Sequence, residues 1–292
     1  MRLAYLTICL SLAVLGSGCS AKKSDSEPFQ PKQTLPIPDD LRDSVEQARL
    51  LGLAMYTQDA ASAVATDVLV EKIGSLDGKG LGGWVTMRDA DVGGRQTGWW
   101  LVKFFSEETE PRILYEVRVP TRAGEEPTFA AIDPPRRPDG NSRNLIHARS
   151  AAIAAIPPPT RPMNTVLLPG QPFGFEGTLV YLLAATTEPN VMVLGKHYRV
   201  LLTGIDFEVT SVTELSRSEL QVPLKPGEDG HIRPPLIKHT LSDGPTENYV
   251  FASLFHRTPI LVATSRGVWW IDGSEIRLIA EQLPQRASEL FQ

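Results

Sequence analysis

Five histidines carry this chain's most versatile chemistry, because an imidazole near neutrality can ligate a metal or exchange a proton. One of them sits in suggestive company. In His239-Thr240-Leu241-Ser242-Asp243 a carboxylate follows the histidine, and Glu247 comes one helical turn later. A histidine with two carboxylates can hold a metal or act as acid and base. The same carboxylates would equally serve a helix start, where unpaired N–H groups attract negative charge, with His239 closing a strand. Both readings stay open at this level. His147, His197, His231 and His256 have no ligand-like spacing. No Gly-x-Ser-x-Gly elbow is present, and a Ser-x-x-Lys occurs at Ser20–Lys23, ahead of any helical or strand pattern. Gly78, Gly80, Gly82 and Gly83 follow a helical stretch, the reverse of a phosphate-binding loop. No catalytic residue and no cofactor are assigned from the sequence.

Two aromatic pairs, Trp99-Trp100 and Trp269-Trp270, fall within strand patterns. Neighbouring side chains on a strand point to opposite faces, so a pair cannot bury both rings against one core. Either the sheet is covered on both sides, or one ring of each pair is exposed as a candidate binding aromatic.

The elements that must position these groups are legible in part. Asp39 and Asp40 precede a helical recurrence at Leu41, Val45, Ala48, Gly52 and Met55, and a second helical stretch spans residues 60–73. Strand patterns follow at 84–91 and 99–105, with Gly93-Gly94 between them, then at 112–119, 165–168, 179–184, 197–203 and 207–212. An alanine-rich helix is expected over 144–156, and Pro-rich loops at 133–138, 157–162 and 223–235. Near the C-terminus, Gly244-Pro245-Thr246-Glu247 reads as a helix start with Pro245 at the first helical position. The runs 260–264, 268–271 and 275–280 then form a three-strand meander, with Asp272-Gly273 as a hairpin turn. The expected class is α+β: N-terminal helices, a mainly antiparallel sheet, then a C-terminal helix and meander. The sequence shows no internal repeat.

The strand–His239–loop–helix–strand order resembles the JAB/MPN metallopeptidase topology over residues 231–280. That family's remaining ligand positions would fall at Leu241, Tyr249 and Ala252, none of which carries the required group. Zinc hydrolysis by that route is excluded.

The N-terminus has the order of an export signal: Arg2, an apolar or small-residue run from Leu3 to Leu15, then Gly16-Ser17-Gly18-Cys19. The run is too short for a hydrocarbon core that needs roughly 20 helical residues. Leu15 to Cys19 resembles the lipobox of bacterial lipoproteins, with Gly16 where a large aliphatic residue is usual. The resemblance implies cleavage before Cys19, diacylation of its thiol and anchoring in a membrane. Two or more acyl chains hold stably where one does not. Ser20, in place of the Asp that marks inner-membrane retention, points to the outer membrane facing the periplasm. Residues 1–18 are thus read as signal peptide, 19–38 as a lipidated tether, and 39–292 as a single globular domain with room for two subdomains. The mature part resembles only an uncharacterised bacterial lipoprotein family.

The chain's two cysteines are Cys9 and Cys19, so the expected folded part offers no thiolate for a metal, an Fe–S cluster or nucleophilic attack. Net charge is −5 and no run of five like charges occurs, which argues against nucleic acid as a partner. The expected function is a non-enzymatic envelope lipoprotein that binds another envelope protein or a wall polymer. An envelope hydrolase with a site around His239 is the alternative.

Overall fold

The helical spacing that opens after Pro38 continues without a break. In the computed structural model, which describes residues 29–291 apart from 92, 187, 189, 218, 228 and 229, a short 3₁₀ turn at Asp39–Leu41 runs into α1 (Arg42–Ile73). The two expected N-terminal helices are therefore one. Gly74, at φ +81°, ends it by donating its N–H back to Val70 O, the left-handed stop that glycine adopts without Cβ strain. Cys19 and the expected export signal lie outside the described residues.

Four antiparallel strands follow in sequence order: β1 (Leu81–Ala90), β2 (Gln96–Ser106), β3 (Ile113–Pro120) and β4 (Thr128–Arg136). β4 overturns the Pro-rich loop expected at 133–138. Pro134 and Pro135 are accommodated because β4 is an edge strand with a register shift opposite Ile113 and Tyr115, where missing N–H groups break no ladder. Next come α2 (Gly140–Ala154), β5 (Met163–Pro169), β6 (Thr178–Ala184), β7 (Val191–Val193), β8 (Tyr198–Thr203), β9 (Glu208–Glu214) and β10 (Gln221–Pro223). The chain ends with β11 (Leu236–Lys238), α3 (Glu247–His256), β12 (Ile260–Thr264), β13 (Gly267–Asp272) and β14 (Glu275–Ala280). The fold is α+β with mainly antiparallel sheets. One motif recurs within it: a helix leading into an antiparallel meander, at α1–β1, at α2–β5 and at α3–β12.

The chain divides into two compact units. One comprises residues 54–185 and 197–214; the other comprises 29–53, 186–196 and 215–291 among the described residues. In the first unit, Ala61, Ala65 and Leu69 recur along one face of α1 and pack on Trp100, Val102, Phe104, Val117 and Val119 of the β1–β4 sheet. Ile146 of α2 packs with Val85, Phe105 and Ile113. Helix α2 also lies against the sheet of order β5-β6-β8-β9. Asp139 caps α2 by accepting from Ser142 N at 2.8 Å, and the buried Lys103 of β2 reaches both Asp139 and Ser142. Burial would raise the Asp139 carboxyl, but those hydrogen bonds hold it well below the usual range.

In the second unit the sheet has order β11-β12-β13-β14, with β11 parallel to β12 and the rest antiparallel. Its helix-covered face joins Tyr249, Val250 and Ala252 of α3 with Leu41, Val45 and Ala48, over Val262, Trp269 and Ile271. Gly52 permits this closeness: a Cβ there would lie 2.5 Å from Val250 Cβ and 2.7 Å from Glu247 O. The opposite face is covered by both described chain ends. Phe29 and Phe291 meet edge to face at 5.6 Å, and Phe291 meets Trp270 at 5.7 Å. Leu35 N donates to Leu278 O of β14, and Lys32 N to Leu290 O. From Phe29 onward, the segment expected as tether belongs to the folded unit. Among the described residues, no helix is long and apolar enough to cross a membrane.

Candidate functional site

β11, α3 and β12 form a strand–helix–parallel strand unit, and its loop 239–246 leaves the carboxyl end of β11. Ligands of parallel sheets gather outside the carboxyl ends of strands, because there the chain turns away and leaves a crevice. A cleft of about 580 Å³ lies at that place, lined by residues 238–243, residues 263–265 and Leu283. His239 therefore does stand in a cleft, and its backbone N–H closes β11 by donating to Ala263 O at 2.8 Å.

Its side-chain partners differ from those the sequence suggested. Nδ1 lies 2.9 Å from the Tyr249 hydroxyl, and Nε2 lies 2.8 Å from Ser242 Oγ. Ser242 Oγ is also 2.7 Å from Gly244 O. These three contacts have one consistent direction. Two oxygens at that separation need a proton between them, and a carbonyl has none, so the Ser242 hydroxyl donates to Gly244. Ser242 can then only accept from Nε2–H. Nδ1 is left bare and accepts from the Tyr249 O–H. Proton donation runs from Tyr249 through His239 and Ser242 to the loop backbone, and each group is satisfied.

The electrostatics agree. Burial lowers the His239 basicity below its ordinary 6.5, the nearby Glu247 partly opposing this, so the ring is neutral at pH 7. Burial also pushes the Tyr249 hydroxyl up, keeping it a donor. Asp243, exposed, accepts from Ser265 Oγ instead of joining His239. Nor does it cap α3. The cap residue is Thr246, whose side chain makes no capping bond, and Pro245 precedes it outside the helix. Only Glu247 falls in the first turn, where it is buried. The expected trio His239, Asp243 and Glu247 thus does not gather as an acid–base set. Sequence reasoning missed Ser242 and Tyr249 as ring partners. The hydroxyl three residues along the loop was a weak signal, and nothing marked Tyr249.

Among the described residues, no group of three His, Cys, Asp or Glu side chains could hold a metal ion. Three of the other histidines have local surroundings that account for them. His197 Nδ1 accepts from Ala184 N at 3.0 Å, His147 stacks edge-on to Phe207, and burial pushes His256 down to about 4.

The tryptophans do not form an exposed patch. Trp269 and Trp270 are both 0 % exposed, one beneath α3 and the other beneath Phe291, because the sheet is covered on both faces. Trp100 is buried against α1 with the Arg88 guanidinium 3.8 Å from its ring centre, and Trp99 is half-buried. Trp269 Nε1 donates to Thr264 Oγ1 at 3.0 Å, holding the end of β12 that borders the cleft. No protein-family model matches the chain, and neither curated proteins nor solved structures match it.

Proposed function

We propose that the chain is an exported lipoprotein, anchored through acyl groups on Cys19, that binds another molecule at the cleft beside β11 and does not catalyse a reaction. The anchor rests on the export signal and the lipobox resemblance. Ser20 supports the outer membrane, with the folded part facing the periplasm. Residues 20–28 reach at most about 30 Å, so Phe29 stands within that distance of the acylated cysteine. An envelope protein or a wall component is the partner class within reach.

The observation that carries the binding half is the direction of the His239 hydrogen bonds. A serine nucleophile needs an unprotonated imidazole nitrogen facing its hydroxyl. Here Nε2 carries the proton, and the hydroxyl is spent on Gly244 O. The same bonds hold the cleft loop in one shape, which lowers the ordering cost of binding. The second reading, a Ser242–His239 hydrolase, draws on the 2.8 Å approach of the two side chains.

Two experiments test this. A palmitate analogue should label the chain in cells and fail to label Cys19→Ala; equal labelling of both removes the anchor. A photocrosslinker at Leu283 should capture a partner in intact cells, while a fluorophosphonate probe leaves Ser242 unlabelled. Labelling that disappears in Ser242→Ala would establish the hydrolase instead.

A further inference from the structure

The cleft's lining narrows what it can hold, given the binding function proposed above. Its hydroxyls are largely committed. Ser242 serves His239 and Gly244, Ser265 serves Asp243, and Thr264 Oγ1 accepts from Trp269 Nε1 and from Arg266 N. A polyhydroxylated ligand would meet few spare partners. Among the described residues lining it there is no Phe, Tyr or Trp, the usual platforms for a sugar face or a nucleobase, and the His239 ring is engaged edge to face with Tyr249. Two aliphatic side chains are exposed at its borders, Leu241 at 38% and Leu283 at 47%. Exposed aliphatic groups flanking a concave site mark a place for an apolar side chain.

The charges are of both signs. Lys238, exposed, ends β11 at the cleft wall. Asp243 is held by Ser265 and lies in the field of Arg266, whose guanidinium is itself bidentate on Asp40. The Asp243 carboxylate keeps acceptor capacity for a further N–H donor. A cation, a carboxylate acceptor and an aliphatic border together match one chemistry: a carboxylate, a neighbouring amide N–H and an aliphatic side chain.

We infer that the cleft binds a short peptide end carrying a free α-carboxylate and an aliphatic last residue. The carboxylate meets Lys238, the preceding amide N–H meets Asp243, and the side chain sits between Leu241 and Leu283. The latched loop presents these groups already ordered.

Calorimetric titration of the full chain in detergent with N-acetyl-Ala-Leu, as free acid and as carboxamide, tests this. The acid should bind about fivefold more tightly, the effect of one exposed charge pair. Lys238→Gln should abolish the difference, and Leu283→Asn should weaken both probes. Both residues are exposed, so neither variant threatens the fold. Equal binding of acid and amide, a preference surviving in Lys238→Gln, or no binding at millimolar concentration would overturn the inference. A partner crosslinked through Leu283 without acid selectivity would sink this ligand assignment alone. Absence of any crosslinked partner together with fluorophosphonate labelling of Ser242 would sink the binding function as well.

Discussion

Asp59 is the most exacting place to test this account of the fold, because its carboxyl is buried on α1 and opposes the structure at neutral pH. It is 4% exposed, and its partner among the described residues is Asn164 Nδ2 at 3.5 Å. Its neighbour Gln58 is fully engaged, donating to Thr86 O and accepting from Leu167 N. Burial, partly offset by Asn164, raises the Asp59 carboxyl from an ordinary 3.8 to about 7. The folded state therefore holds this proton where the unfolded chain has lost it. The group does no harm below pH 3.8; stability falls as pH rises from there through about 7, and above that the penalty is complete. A shift of that size corresponds to a penalty of about 4 kcal/mol at full strength. Asp59→Asn removes the charge and keeps the shape. Allowing for an amide that must find new partners at a cost of about 1–2 kcal/mol, a net gain of about 2 kcal/mol is expected at pH 8. For a unit of this size that is a rise in Tm of roughly 4–8 °C. Thermal unfolding followed by circular dichroism at pH 5, 6, 7 and 8 would show the variant's advantage growing with pH. An advantage independent of pH, or a lower Tm for Asp59→Asn at pH 8, would refute the reasoning.

Four further outcomes are expected. Ser242→Ala leaves Nε2–H of His239 without its acceptor and should cost about 1–2 kcal/mol in urea unfolding. Because His239 titrates below its ordinary 6.5 in the fold, its contribution is complete above that pH and is lost as pH falls; in the Asp59→Asn background, where the opposing titration of Asp59 is removed, unfolding midpoints unchanged between pH 7.5 and 5 would contradict this. Gly52→Ala gains up to about 1 kcal/mol of helix propensity but forces a Cβ into Val250 and Glu247 O. A net loss of about 1–2 kcal/mol is expected, and a stabilised variant would show that the helices can part freely. Phe291→Ala uncovers Trp270, so tryptophan emission should shift to longer wavelength with a loss of about 1–2 kcal/mol; an unshifted spectrum would place Trp270 under other cover.

Local pattern was enough for most elements, because periodicity records which face of a helix or strand is buried. The meander at 260–280 is the clearest case: short apolar runs bounded by turn residues, with the Asp272-Gly273 turn, specify three strands whatever lies around them. Short strands such as β7, β10 and β11 were harder, since three residues carry too little periodicity to stand apart from loop. Pro134 and Pro135 concealed β4 because their tolerance depends on its being an edge, which is a property of the sheet.

The sequence by itself determined the α+β class, the absence of cysteine from the chain beyond Cys19, and the placing of His239 between a strand and a helix. It also determined that each tryptophan pair must divide between two faces. Only the tertiary structure decided that both faces are covered, since Phe29 and Phe291 arrive over Trp270 from opposite ends of the chain. It likewise decided what His239 does. Sequence spacing offers Asp243 and Glu247 as partners, but hydrogen bonding depends on direction and on competing donors. Packing α3 on the sheet brings the Tyr249 hydroxyl to one ring nitrogen, and the turn at Gly244 claims the Ser242 proton that catalysis would have needed.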